Sequence, residues 1–71
     1  MTLAQAKALS YGQHVCTETQ KTARNEPKRF KVNGKPKTWK REPGRVEIPL
    51  KYGLRTFGNL YSADLPDFFL C

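Results

Sequence analysis

The chain has little of what catalysis, metal binding and membrane insertion require. Its 71 residues include two cysteines and one histidine, and no apolar run is long enough to cross a bilayer. Secreted domains of this size that rely on disulfides usually carry roughly four or more cysteines. The composition therefore predicts one domain, residues 1–71, in a reducing cytoplasm, with no signal peptide and no membrane partner.

The few reactive side chains form no recognisable catalytic or metal-binding motif. His14, Cys16 and Cys71 offer three zinc ligands where a structural site takes four. His14 and Cys16 are also the only candidate pair of base and nucleophile, and they lack an orienting group. Asp64 and Asp67 are expected to cap a turn. We predict no metal, no cofactor and no enzymatic activity, with Cys16 a buried small hydrophobe and Cys71 an exposed thiol.

Positive charge is what the chain has in excess. Thirteen lysines and arginines against six aspartates and glutamates give a net charge of +7. A field of one sign attracts partners of the opposite sign without selecting among them. The expected partner is therefore nucleic acid, either DNA or RNA, or an acidic protein.

Alternation of apolar and polar residues predicts short strands. The clearest is residues 45–53, in which Pro49 implies a sheet edge or a missing N–H that faces no neighbour. A turn is predicted before it at residues 42–44, and a second strand runs through Phe30 and Val32. The pair at residues 33–34, Asn-Gly, marks either a tight hairpin or a bulge in one long strand.

The remaining segments are predicted to be turns and loops. Thr2 and Gln5 are placed to cap a short helical turn that ends before Gly12. Residues 17–28 contain one apolar side chain and are predicted to be an exposed loop. Ser62 is expected to cap one turn, after which residues 68–70 return to the core.

These elements predict a mostly β fold: a small SH3-like, partly closed barrel or a strongly bent antiparallel sheet of four to five short strands, with one or two short helical turns. If pairing is unbroken from Phe30 onward, Trp39 shares a basic face opposite Phe30. A single bulge near Gly34 would instead turn Trp39 into the core, which is the usual place for the only tryptophan of a small domain.

The basic face is the predicted binding site, with Trp39 or Tyr52 stacking on bases if exposed. Its predicted members are Lys28, Arg29, Lys31, Lys35, Lys37, Trp39, Lys40, Arg41, Arg45 and Lys51. The first hypothesis is nucleic-acid binding with low sequence specificity. The alternative is binding and modulation of another protein through the basic face or a sheet edge.

The segment RFKVNGKPKTWKREPGRVEIPLKYGL, with TLAQAKALSYGQHV before it and NLYSADLPDFFL after it, resembles a group of small bacteriophage and prophage proteins. The shared features are the KTWK stretch, a turn with proline, the RV strand and the KYGL end. The resemblance covers nearly the whole chain and implies a phage or bacterial origin. It also implies that an acidic protein partner would be a host protein and that the cytoplasm would be that of a bacterial host cell. It brings no known activity, and Pro36 departs from the group's pattern of an aliphatic residue between two lysines.

Overall fold

Six strands form one antiparallel sheet in the computed structural model, which describes residues 1–71. The strands are β1 (His14–Lys21), β2 (Pro27–Val32), β3 (Lys37–Trp39), β4 (Glu42–Tyr52), β5 (Arg55–Tyr61) and β6 (Phe68–Leu70). A helix, α1 (Leu3–Lys7), precedes them, and a 3₁₀ helix, Ser62–Asp67, joins β5 to β6. The mostly β prediction is confirmed, with one strand more than the sequence indicated.

The sheet curls into a half-barrel. Across it the strands run β6, β1, β2, β4 and β5, and β3 continues along β4 where β2 ends. The inner face carries the core, which includes Val15, Phe30, Ile48, Leu50 and Leu60. Side chains at alternate positions point to the outer face instead, because the side-chain period of a strand is two.

Strand β4 organises the fold. Its predicted inward residues Val46, Ile48 and Leu50 are all fully buried. Pro49 lies in an interior strand, so the sheet-edge interpretation was wrong. The carbonyl of Pro49 accepts the N–H of Asn33. The missing N–H of Pro49 is on the same side, where the ladder is interrupted between β2 and β3. The second interpretation, that this N–H is missing where no strand is paired, is therefore correct.

The Asn-Gly pair belongs to an interruption in one long β2–β3 path and forms no hairpin. Four residues separate Val32 from Lys37, whereas two separate their partners Leu50 and Glu47 on β4. Gly34 is needed for space, because a Cβ there would lie 3.0 Å from the Cγ of Pro49. The β2–β3 path therefore has two residues more than β4 over this interval. Because side chains alternate between faces with a period of two, an even difference leaves the side chains of β3 on the faces that an unbroken strand would give them.

Two turn predictions need correction. Residues 17–28 are largely exposed, as predicted, but they are not a loop: β1 continues to Lys21, which pairs with Pro27 at the start of β2, and residues 18–20 bulge from the ladder. Thr22 and Glu26 close the turn with a backbone hydrogen bond of 2.8 Å. The predicted turn at residues 42–44 lies within β4. The chain reverses two residues earlier, where Trp39 pairs with Glu42.

The ends of the chain pack as short elements against the core. Thr2 and Gln5 form the predicted capping box of α1, which buries Ala6. Ser62 does not cap its helix; its hydroxyl bonds the backbone N–H and carbonyl of Val46 at 2.8 and 3.3 Å. Of the last strand only Phe68 packs on the core, while its two successors are exposed, contrary to expectation.

A disulfide joins Cys16 to Cys71. Their Cα atoms are 5.7 Å apart because β6 pairs with β1, placing Phe69 opposite Cys16. Cys16 is buried, as predicted, but neither Cys16 nor Cys71 is a free thiol, so that part of the prediction is wrong. None of the helices has the length and apolar character needed to traverse a bilayer.

Candidate functional site

Basic side chains cross the outer face of three adjacent strands in a row. The pairing of the strands sets His14 of β1 opposite Lys31 of β2, and Lys31 opposite Lys51 of β4. Arg29 lies two positions along β2, on the same face as Lys31. We call His14, Arg29, Lys31 and Lys51 the basic row.

The basic row has no acidic partner. The structure contains two ion pairs, and both are made by Arg45, with Glu42 and Glu47. The other twelve lysines and arginines of the thirteen have no carboxylate within ion-pair distance. The positive charge of the row is therefore left to solvent or to a ligand.

Lys31 and Lys51 form a like-charge pair across neighbouring strands. Directly opposite side chains have Cβ atoms about 5 Å apart, and like charges at that distance destabilise the sheet. Both residues are half-buried, so their alkyl stems lie against the protein and hold the ammonium groups near the surface. An anion bound between them would relieve this repulsion.

Tyr11 adds an aromatic ring to the basic row. It lies in the loop before β1, next to the point where Gly12 donates its N–H to the carbonyl of Val32. The ring is 65% exposed, and the Nζ of Lys31 is 5.4 Å from its centroid. The sequence interpretation missed both Tyr11 and His14. The signal for His14 was the alternation with buried Val15 and Thr17.

Trp39 lies on the outer face and is not part of the core, so the preferred sequence interpretation was wrong. The guanidinium of Arg45 covers the indole at 3.9 Å from the ring centroid, a cation–π contact. Arg45 also donates to Glu42 and Glu47 at 2.9 and 3.0 Å. The hydrogen bond to Glu42 is the main reason that the pKa of Arg45 lies above its ordinary value, and Glu47 adds to it.

The positive charge is neutralised at the end of the outer face formed by β3 and the start of β4, because Glu42 and Glu47 both pair with Arg45. Trp39 and Arg45 therefore differ in setting from the basic row, although the sequence placed all of them in one site. The division follows from the register of β3 and β4, which sets Lys37 opposite Glu47. The unopposed part of the face is the part nearer to β1.

The other predicted members lie outside the basic row. Lys37 shares the outer face, and exposed Lys35 lies in the interruption before it. Lys40 and Arg41 occupy the exposed turn between β3 and β4. Lys28 is half-buried on the inner side of β2, with its Nζ 5.3 Å from the ring centroid of Tyr52.

Two open grooves lie elsewhere, on either side of Phe68, with volumes of about 440 and 200 Å³. Both include Asp67; the larger adds Glu18 and the smaller adds Asp64. Neither groove has a basic residue in its lining. Their charge has the wrong sign for an anionic ligand, so they are not part of the candidate site.

The cysteines and Asp64, which were considered as metal ligands or catalytic groups, make structural bonds instead. The disulfide occupies both sulfur atoms that were considered with His14 as zinc ligands, and it removes the Cys16 thiol as a nucleophile. Asp64 accepts the backbone N–H of Tyr61 at 3.2 Å. No group of three or more histidine, cysteine and acidic side chains is close enough to hold a metal ion.

The like-charge pair makes a prediction about stability. The substitution Lys51→Glu should raise the free energy of unfolding by about 0.5 to 1 kcal/mol, because it replaces repulsion by attraction to Lys31. Lys51→Gln, which only removes the repulsion, should have a smaller effect. Urea unfolding of the three proteins at low salt measures this, and a loss of stability in Lys51→Glu would contradict the pairing.

No protein-family model, curated protein or solved structure matches the chain. The resemblance to phage proteins therefore stays an expectation from the sequence.

Proposed function

We propose that the chain is a nucleic-acid-binding module that holds phosphate groups on the basic row. The observation that carries this proposal is the alignment of Lys31 and Lys51 on neighbouring strands with no acidic residue paired to either. A fold gains nothing from two opposed ammonium groups, whereas a polyanion binds between them. Phosphate contacts carry no sequence information, so specificity should be low.

The structure supports a binding role more readily than a catalytic one. The single histidine, His14, faces the same side as Cys16, whose sulfur is in a disulfide. Residues that bind phosphate need only positive charge and hydrogen-bond donors, which Arg29, Lys31 and Lys51 supply. We infer that the protein acts by binding.

Salt dependence tests the proposed function. If Arg29, Lys31 and Lys51 each neutralise one phosphate of a single strand, the affinity should fall about 20-fold between 50 and 200 mM salt, because roughly 0.7 counterions are released per contact. Fluorescence anisotropy with a labelled oligonucleotide measures the slope. Binding that is unaffected by salt, or no binding at low salt, would contradict the proposal.

A host protein bound through a sheet edge is the second candidate. The observation that favours it is the outer edge of β5, which pairs only with β4 and exposes Phe57 and Tyr61. An open edge of this kind accepts a further strand from a partner. Capture from a bacterial lysate with and without nuclease separates the two: a stoichiometric protein partner that survives nuclease favours this candidate.

Origin and location form a separate part of the proposal. We keep a phage or bacterial origin as the expectation from the sequence. A cytoplasmic location was predicted from the low cysteine content, but the pairing of Cys16 with Cys71 removes that reason, since disulfides persist mainly in oxidising compartments. Alkylation of thiols in freshly lysed cells, followed by mass measurement, would show which redox state the chain has there.

A further inference from the structure

We propose that the basic row takes single-stranded nucleic acid, with Tyr11 as the platform on which one base stacks. This inference rests on the function proposed above and names its substrate class. It depends on an observation separate from the charges, the position and exposure of an aromatic ring.

Tyr11 has the properties of a stacking platform. The residue is 65% exposed, and the ammonium group of Lys31 lies over its ring, at 5.4 Å from Nζ to centroid. A nucleotide that places its phosphate near Lys31 therefore brings its base within reach of the ring. Stacking of a base on an exposed aromatic side chain strengthens binding by about 5- to 150-fold.

The other candidate aromatic residues are less suited to this role. The Arg45 guanidinium over Trp39, at 3.9 Å, is itself paired with two carboxylates, in the neutralised part of the outer face. Tyr52 and Phe57 pack against Phe30 on the inner side, with ring centroids 5.2 and 4.5 Å away. Tyr11 is the exposed aromatic residue whose ring contacts a lysine of the basic row.

A single strand fits this combination better than a duplex. In a duplex the faces of the bases are covered by their neighbours, so an aromatic side chain meets only phosphates and groove edges. Unpaired bases expose their faces and stack on tyrosine. Phosphate charge alone would explain the lysines, but only an accessible base gives the ring beside them a role.

The experiment compares three probes of about ten nucleotides, the length that small single-strand-binding domains cover. They are a thymidine strand, an abasic strand with the same phosphates, and a duplex, measured by anisotropy at fixed low salt. The intact protein should bind the thymidine strand 5- to 150-fold more tightly than the abasic strand. This comparison requires no variant.

Two substitutions identify the ring responsible. Tyr11→Ala should lower affinity for the thymidine strand to that for the abasic strand and leave abasic binding unchanged. Tyr11→Phe keeps the ring and should bind as the intact protein does. Far-UV circular dichroism and urea unfolding check that both variants fold; the ring is largely exposed, so little change in stability is expected.

The outcomes separate failure of the stacking role of Tyr11 from failure of the proposed nucleic-acid-binding function. Equal, salt-dependent binding of all three probes would overturn the stacking role and leave phosphate binding intact. A preference for the duplex, or a thymidine preference that survives Tyr11→Ala, would also overturn it. Failure to bind any probe at low salt would contradict the proposed function itself.

Discussion

Reduction of the Cys16–Cys71 disulfide is expected to lower the free energy of unfolding by about 4 kcal/mol. The bond joins residues 55 positions apart, and closing a loop of that length restricts the unfolded chain by roughly this amount in the loop-entropy account. A domain of this size has a total stability of only roughly 4 to 10 kcal/mol. The reduced protein should therefore be marginally folded.

The C-terminal strand is the part expected to separate first. Strand β6 has three residues and pairs only with β1, and its Phe69 and Leu70 are 37% and 47% exposed. Without the disulfide, its main attachment to the core is Phe68, whose ring centroid lies 5.9 Å from that of Phe30. Release of β6 would leave an edge of β1 unpaired.

Urea unfolding followed by circular dichroism, with and without reductant, measures this effect. The double variant Cys16→Ser, Cys71→Ser is the control: it should unfold at the midpoint of the reduced protein and should not respond to reductant. Equal midpoints for the oxidised and reduced forms of the unmodified chain would show that the bond contributes no stability.

The sequence could not show this disulfide because the pairing depends on topology. Two cysteines at this separation meet only when the last strand returns to β1 in the register that sets Phe69 opposite Cys16. The low cysteine count instead favoured free thiols. Composition therefore could not predict a disulfide that joins the last strand to the first.

Local patterns predicted much of the fold. The alternation along β4 identified its buried residues, and Thr2 and Gln5 identified the helix start, because these signals arise between neighbours in sequence. The hairpin within residues 17–28 was missed because its strands are polar and largely exposed, and because it pairs only at Thr17–Lys28 and Lys21–Pro27, with a bulge between them.

The binding face was predicted in part, and Trp39 shows where the limit lies. Its side depends on whether the interruption near Gly34 adds an odd or an even number of residues relative to β4. The excess is two, so Trp39 stays on the outer face. Composition also could not show that Arg45 is paired with two glutamates whereas Lys31 and Lys51 have no acidic partner.

The double substitution Lys31→Glu, Lys51→Glu is expected to abolish nucleic-acid binding while leaving stability nearly unchanged. Each reversal removes one attraction to phosphate and adds one repulsion, and each of these is worth up to about 1 kcal/mol at an exposed site. Two reversals therefore lower affinity by as much as about a thousandfold. The pair still consists of like charges, so the cross-strand repulsion is the same as before.

A matched variant separates this local effect from loss of net charge. Lys40→Glu, Arg41→Glu changes the net charge equally but acts in the exposed turn between β3 and β4, beyond Val46, which lies about 17 Å along β4 from Lys51. Charges beyond the Debye length are largely screened at 0.15 M salt, so this variant should bind within a few-fold of the unmodified protein. If both variants lost affinity equally, binding would depend on overall charge, and the basic row would have no special part in it.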